Sequence, residues 1–124
     1  QAKLFNTVLG ICAYGSHVNA TKAILNMMKD EGHVPDKKSY AAIFGGFANG
    51  GHIEEAIHSF IEMLDQGLHP DKHLTLSAMR QINKVNDIQL VYKFGKSVVQ
   101  AQLVDPFVVY IIIDQLKLSI ILLV

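Results

Sequence analysis

Two aspartates recur in this chain at a fixed distance. Asp36 sits inside GHVPDKKSY and Asp71 inside GLHPDKHLT, 35 residues further on. A carboxylate at such a place can cap a following helix, or it can accept a hydrogen bond from a ligand. The other reactive side chains are scattered. His17 and His52 hold corresponding turn positions, which helix packing would set roughly 10 Å apart. One zinc cannot bridge them, because its ligands lie about 2 Å away. His69 and His73 share a loop without a cysteine or third histidine, so they read as solvated. Cys12 lies among apolar residues and reads as a buried thiol. GGFANGG lacks the strand-to-helix setting and the lysine of a phosphate loop. No Ser/His/Asp arrangement or carboxylate pair stands out, so neither catalysis, a metal nor a cofactor is expected.

The totals set bounds on what can position these groups. At 124 residues the chain makes one domain at most, and with 50% hydrophobic and 18% charged residues it can bury a core. Its net charge of zero excludes a strongly basic body. A local basic strip remains open, since charges act within about 8–10 Å. A single cysteine forms no internal disulfide. The sequence opens at Gln1 without a Met, so a targeting segment ahead of it would be out of view. The apolar run Phe107 to Val124 is interrupted by Asp114, Gln115 and Lys117. A membrane span needs about 20 largely uncharged residues, so the run reads as a buried helix or an unfinished repeat.

The aspartates recur because a larger unit recurs. Shifted by 35, Phe5, Val8, Leu9 and Cys12 fall on Tyr40, Ile43, Phe44 and Phe47, then on Thr75, Ala78, Met79 and Ile82. The spacing i, i+3, i+4, i+7 is one face of a helix. A second helix follows, with Ile53, Ala56, Ile57, Phe60, Met63 and Leu64 inward and Glu54, Glu55, His58, Glu62 and Asp65 outward. Thr21, Ile24, Leu25 and Met28 repeat that inward face in the first copy. Gly15-Ser16 and Gly50-Gly51 turn between the helices. Gly32 and Gly67 stop the second ones, and Pro35 and Pro70 keep the exits extended. A third loop shortened by one residue, QLVD for GLHPD, places Asp105 with Asp36 and Asp71. Val109, Ile112, Ile113 and Leu116 then open a fourth copy. The expected units are 2–36, 37–71, 72–105 and a partial 106–124, a piece of a longer stack.

Two helices per roughly 34–35 residues suit tetratricopeptide and pentatricopeptide repeats alike. The copy KKSYAAIFGGFANGGHIEEAIHSFIEMLDQGLHPD resembles the pentatricopeptide family, with its helix-A aromatic, Gly turn, EEA, F…M and closing G…PD. LFNTVLGICAYGSHVNATKAILNMMKDEGHVPD and DPFVVYIIIDQL support it, and the resemblance covers residues 2–116. Tetratricopeptide repeats favour a helix-A Trp-Leu-Gly pattern and lack the closing Pro-Asp; there is no Trp here.

The resemblance implies an all-α, right-handed α-solenoid of helix-turn-helix repeats. It implies a protein of a mitochondrion or chloroplast that binds single-stranded RNA, about one base per repeat, for processing, editing, stability or translation. In the family two residues per repeat choose the base: the one after the helix-A aromatic and the closing one. Carried over, the pairs are Asn6 with Asp36, Ala41 with Asp71, and Leu76 with Asp105; Tyr110 holds the fourth slot. Asn6 with Asp36 matches the family's uridine-preferring pair. Ala41 and Leu76 depart from the pattern, having no hydrogen-bonding group. The base-packing slots hold Lys3, Lys38, His73 and Phe107, where the family prefers apolar residues. Lys84 matches the phosphate-contacting lysine, and Tyr14 and Asn49 are its equivalents. Few phosphate contacts and a shallow salt dependence follow. These departures leave open a second role, as a scaffold in an organellar ribosome or RNA polymerase assembly. By position alone, a cap of the next helix is the better explanation of each of the three aspartates, and only the resemblance brings base contact level with it for Asp36. No membrane partner is expected.

Overall fold

The computed structural model of the chain describes residues 2–103. Among these, six helices follow one another: α1 (Ala2–Tyr14), α2 (Val18–Asp30), α3 (Lys37–Asn49), α4 (Ile53–Asp65), α5 (Lys72–Ile82) and α6 (Ile88–Gln100). Asp105, Phe107, Tyr110 and the proposed fourth copy lie outside the described residues.

Polar residues start the helices. The Asp36 carboxylate accepts from the Ser39 backbone N–H at 3.0 Å, and the Ser39 hydroxyl accepts from the Asp36 N–H at 3.1 Å. This reciprocal capping box satisfies two donors that a helix start leaves unpaired. Asp71 accepts from the Leu74 N–H at 2.8 Å, and Asp87 from Gln89 and Leu90 at 3.0 and 3.4 Å. His17 and His52 precede α2 and α4 without a side-chain cap bond. Glu54 and Glu55 complement the positive end of α4 instead. At the other ends Gly32 and Gly67 adopt φ of +83° and +79°. The amides beyond them close onto the last turn, His33 to the Met28 carbonyl and Leu68 to that of Met63. Gln102, 35 places after Gly67, does the same for α6 at φ +58°.

The faces set by helical spacing are most fully buried in α3 and α4, whereas Phe5, Val8 and Cys12 of α1 are half-buried, so the expected buried thiol is partly exposed. Tyr40, Ile43, Phe44 and Phe47 of α3 are buried, as are Ala56, Ile57, Phe60, Met63 and Leu64 of α4. Burial pushes the Tyr40 hydroxyl pKa up, and the Glu62 carboxylate adds to the shift. Ile61 is buried as well, outside the expected stripe, because α4 packs on α3, α5 and α6. Phe60 lies near the middle of the core, edge-on to Phe44 at 6.2 Å and stacked on Phe94 at 5.7 Å between ring centres.

The units do not stack identically. α1 and α3 are in backbone contact: a Cβ on Gly46 would stand 2.4 Å from the Gly10 carbonyl oxygen, and one on Gly50 2.2 Å from that of Tyr14. Thirty-five places on, Gln81 and Val85 stand where Gly46 and Gly50 do. α5 cannot approach α3 as α3 approaches α1, and it packs on α4 instead. Gly45, the counterpart of Gly10, accordingly has nothing within 4 Å of where a Cβ would be. The third turn also differs. α5 ends at Ile82, Val85 is buried, and Asp87 caps α6 where the first two units have a histidine.

Candidate nucleic-acid interface

The gap between α3 and α5 is a cleft of about 570 Å³. One wall comes from α3: Lys37, Lys38, Ala41, Gly45, Ala48 and Asn49. The other comes from α5: His73, Leu74, Ser77, Arg80 and Gln81. Asp71, the N-cap of α5, stands at its mouth, and the buried Phe44 and Met63 contribute to its apolar lining.

The cleft joins four of the residues expected from sequence: Lys38, Ala41, Asp71 and His73. All four are exposed, so a ligand can reach them. His73 belongs to the first turn of α5 rather than to a loop shared with His69. Three permanent cations, Lys37, Lys38 and Arg80, face one carboxylate, Asp71. Their sum favours an anion, and the small Ala41, Gly45 and Ala48 leave room for a flat group beside them.

The other expected residues among those described, Asn6, Asp36, Lys3, Leu76 and Lys84, do not line this cleft. Asn6 lies half-buried on α1, and its side-chain Oδ1 is shielded from solvent without a hydrogen-bond partner. Asp36 is exposed at the start of α3; its Oδ1 serves the cap, while Oδ2 makes no hydrogen bond among the described residues. Lys3 is exposed in the first turn of α1. Leu76 is half-buried on α5 and does not line the cleft. Lys84 is exposed in the turn after α5, two residues past the helix end.

Sequence reasoning missed Arg80 and Gln81. Both replace glycines of the preceding copy, Gly45 and Gly46. A large polar residue in a slot that was glycine one repeat earlier was the available signal. Among the described residues no three His, Cys, Asp or Glu side chains converge to hold a metal. None of the described helices is long and apolar enough to cross a membrane.

The chain is similar to two curated proteins of Arabidopsis thaliana. One, named as a chloroplastic pentatricopeptide repeat-containing protein, is 34% identical over 125 residues, which cover 98% of this chain. The other, named as a mitochondrial pentatricopeptide repeat-containing protein, is 32% identical over 93 residues, or 73% of this chain. The chain belongs to the pentatricopeptide repeat family. The all-helical, paired architecture is that of a helical-repeat solenoid. This pentatricopeptide chain spans 25% and 18% of the lengths of those two relatives. No family profile matches it. No solved structure matches it either.

Proposed function

We propose that the chain is part of a pentatricopeptide array that binds single-stranded RNA in a chloroplast or mitochondrion, with one nucleotide held in the α3–α5 cleft. The array divides into units 2–36, 37–71, 72–105 and the opening of a fourth. The observation that carries the proposal is the convergence of Lys38, Ala41, Asp71 and His73 on a cleft whose other charged walls are Lys37 and Arg80. A lysine stem packs against a base while its ammonium group meets phosphate, and the open face of His73 suits base stacking. Processing, editing, stabilisation or translation of the bound RNA are the roles such binding serves.

A scaffold role in an organellar ribosome or RNA polymerase is the second reading, favoured by Ala41 and Leu76, which are apolar where base readers are expected. The test is a titration of the full-length protein with a pool of single-stranded RNA randomised at every position. Binding is expected at low salt, with Lys38→Ala and Arg80→Ala each weakening it. Asn6→Ala and Asp36→Ala are expected to relax a uridine preference at one position. If no RNA is bound even at low salt, the RNA reading fails and the scaffold role takes its place.

A further inference from the structure

We propose that Gln81 is the base-contacting residue of the α3–α5 cleft, its amide supplying the hydrogen-bonding edge that Ala41 lacks, and that the nucleotide it selects is adenosine. The inference rests on the reading that this cleft holds a nucleotide.

Ala41 offers the cleft only a methyl group. On the facing helix Gln81 lines the same space, and it has an unmet need. Its Oε1 is shielded from solvent and accepts no hydrogen bond among the described residues. An orphaned buried carbonyl lowers stability. The terminal torsion of glutamine is broad and roughly two-fold, so rotation about it can present the amide to the cleft that Gln81 lines. A base edge there would end the orphan's cost and add a contact at once. The chain contains its own control. In the second unit the same slot is Gly46, which has no side chain to read with, and the helices touch. Gln81 therefore holds α5 away from α3 and lines the space so made. Adenine suits the amide because it offers the matching donor–acceptor pair on two edges, N6–H with N1 and N6–H with N7, where cytosine offers it on one.

The test compares Gln81→Met with the wild type in the full-length protein, by thermal unfolding and by selection from a randomised single-stranded RNA pool. Methionine keeps the length of the side chain and removes the orphaned carbonyl. The unfolding midpoint is expected to hold or rise, while affinity falls about 10-fold and adenine enrichment at one position disappears. Enrichment of another base there, or an adenine preference that survives the substitution, overturns the inference. A fall in both stability and binding marks Gln81 as structural and also overturns it. Arg80→Ala separates the two readings. If Arg80→Ala weakens binding but Gln81→Met does not, the cleft binds RNA and only the role of Gln81 fails. If the wild type captures no RNA, both fail together.

Discussion

The Asp36 carboxylate divides its oxygens between two uses. Oδ1 accepts from the Ser39 amide at 3.0 Å and from the Ser39 hydroxyl at 3.2 Å, which fixes the start of α3. Oδ2 is uncommitted on an exposed residue, so capping and base contact need not compete. Two substitutions separate them. Asparagine caps as well as aspartate, whereas alanine costs about 1 kcal/mol at such a position. Asp36→Asn is therefore expected to unfold at the wild-type temperature, and Asp36→Ala at a lower one. In RNA selection Asp36→Asn is expected to shift the preferred base, since the free oxygen becomes an amide donor. An unchanged preference in Asp36→Asn would leave Asp36 as a cap alone. Asp71 caps α5 through one bond, from the Leu74 amide at 2.8 Å, without the serine that completes the box at Asp36.

Between elements, the two sides of α3 make opposite demands. Gly46 faces α1, where an added Cβ would stand 2.4 Å from a backbone oxygen that cannot move aside. Gly46→Ala is expected to destabilise by about 1–3 kcal/mol, as overpacking does. Gly45 faces the cleft and meets nothing within 4 Å, so Gly45→Ala is expected to stabilise by up to about 1 kcal/mol through helix propensity. Denaturant unfolding of the two variants checks this, and equal effects would show that the helices are equally spaced on both sides. The pair also shows where the sequence was legible. Tyr40, Ile43, Phe44 and Phe47 declared a buried face because helical geometry alone brings i, i+3, i+4 and i+7 together. Gly32 and Gly67 declared helix ends because a positive φ favours glycine. The cleft was not legible, since it depends on how far apart two packed helices stand. That separation follows from Gln81 and Val85 replacing Gly46 and Gly50, a comparison between repeats rather than within a face. The third turn was hidden for a similar reason. With Val85 buried and Asp87 as cap, it forms without the Gly-Gly of the second unit.

Over the whole molecule the formal charges cancel, but they are not spread evenly. Residues 2–36 include three basic and three acidic side chains; residues 37–71 two and five, net −3; residues 72–105 five and two, net +3. The cleft lies on the boundary between the acidic and the basic stretch. Its cationic walls draw on both, Lys37 and Lys38 from one and Arg80 from the other. The acids Glu54, Glu55, Glu62 and Asp65 belong to α4 and do not line it. An RNA strand bound as proposed would meet the local cations at short range, while the acids of α4 are screened over a Debye length of about 8 Å at physiological salt. The proposed RNA binding would then owe its salt dependence to a few side chains. Each phosphate contact contributes about 0.7 to the log–log slope for a single strand, so the double variant Lys38→Ala, Arg80→Ala should flatten the slope by about 1.4. Glu54→Gln with Glu55→Gln raises the net charge by two, yet should leave the slope as it was. Titrations of the full-length protein across a range of salt concentrations measure both. If the α4 variant changes the slope and the cleft variant does not, the phosphates run along the second helices, and the path of the strand has to be redrawn there.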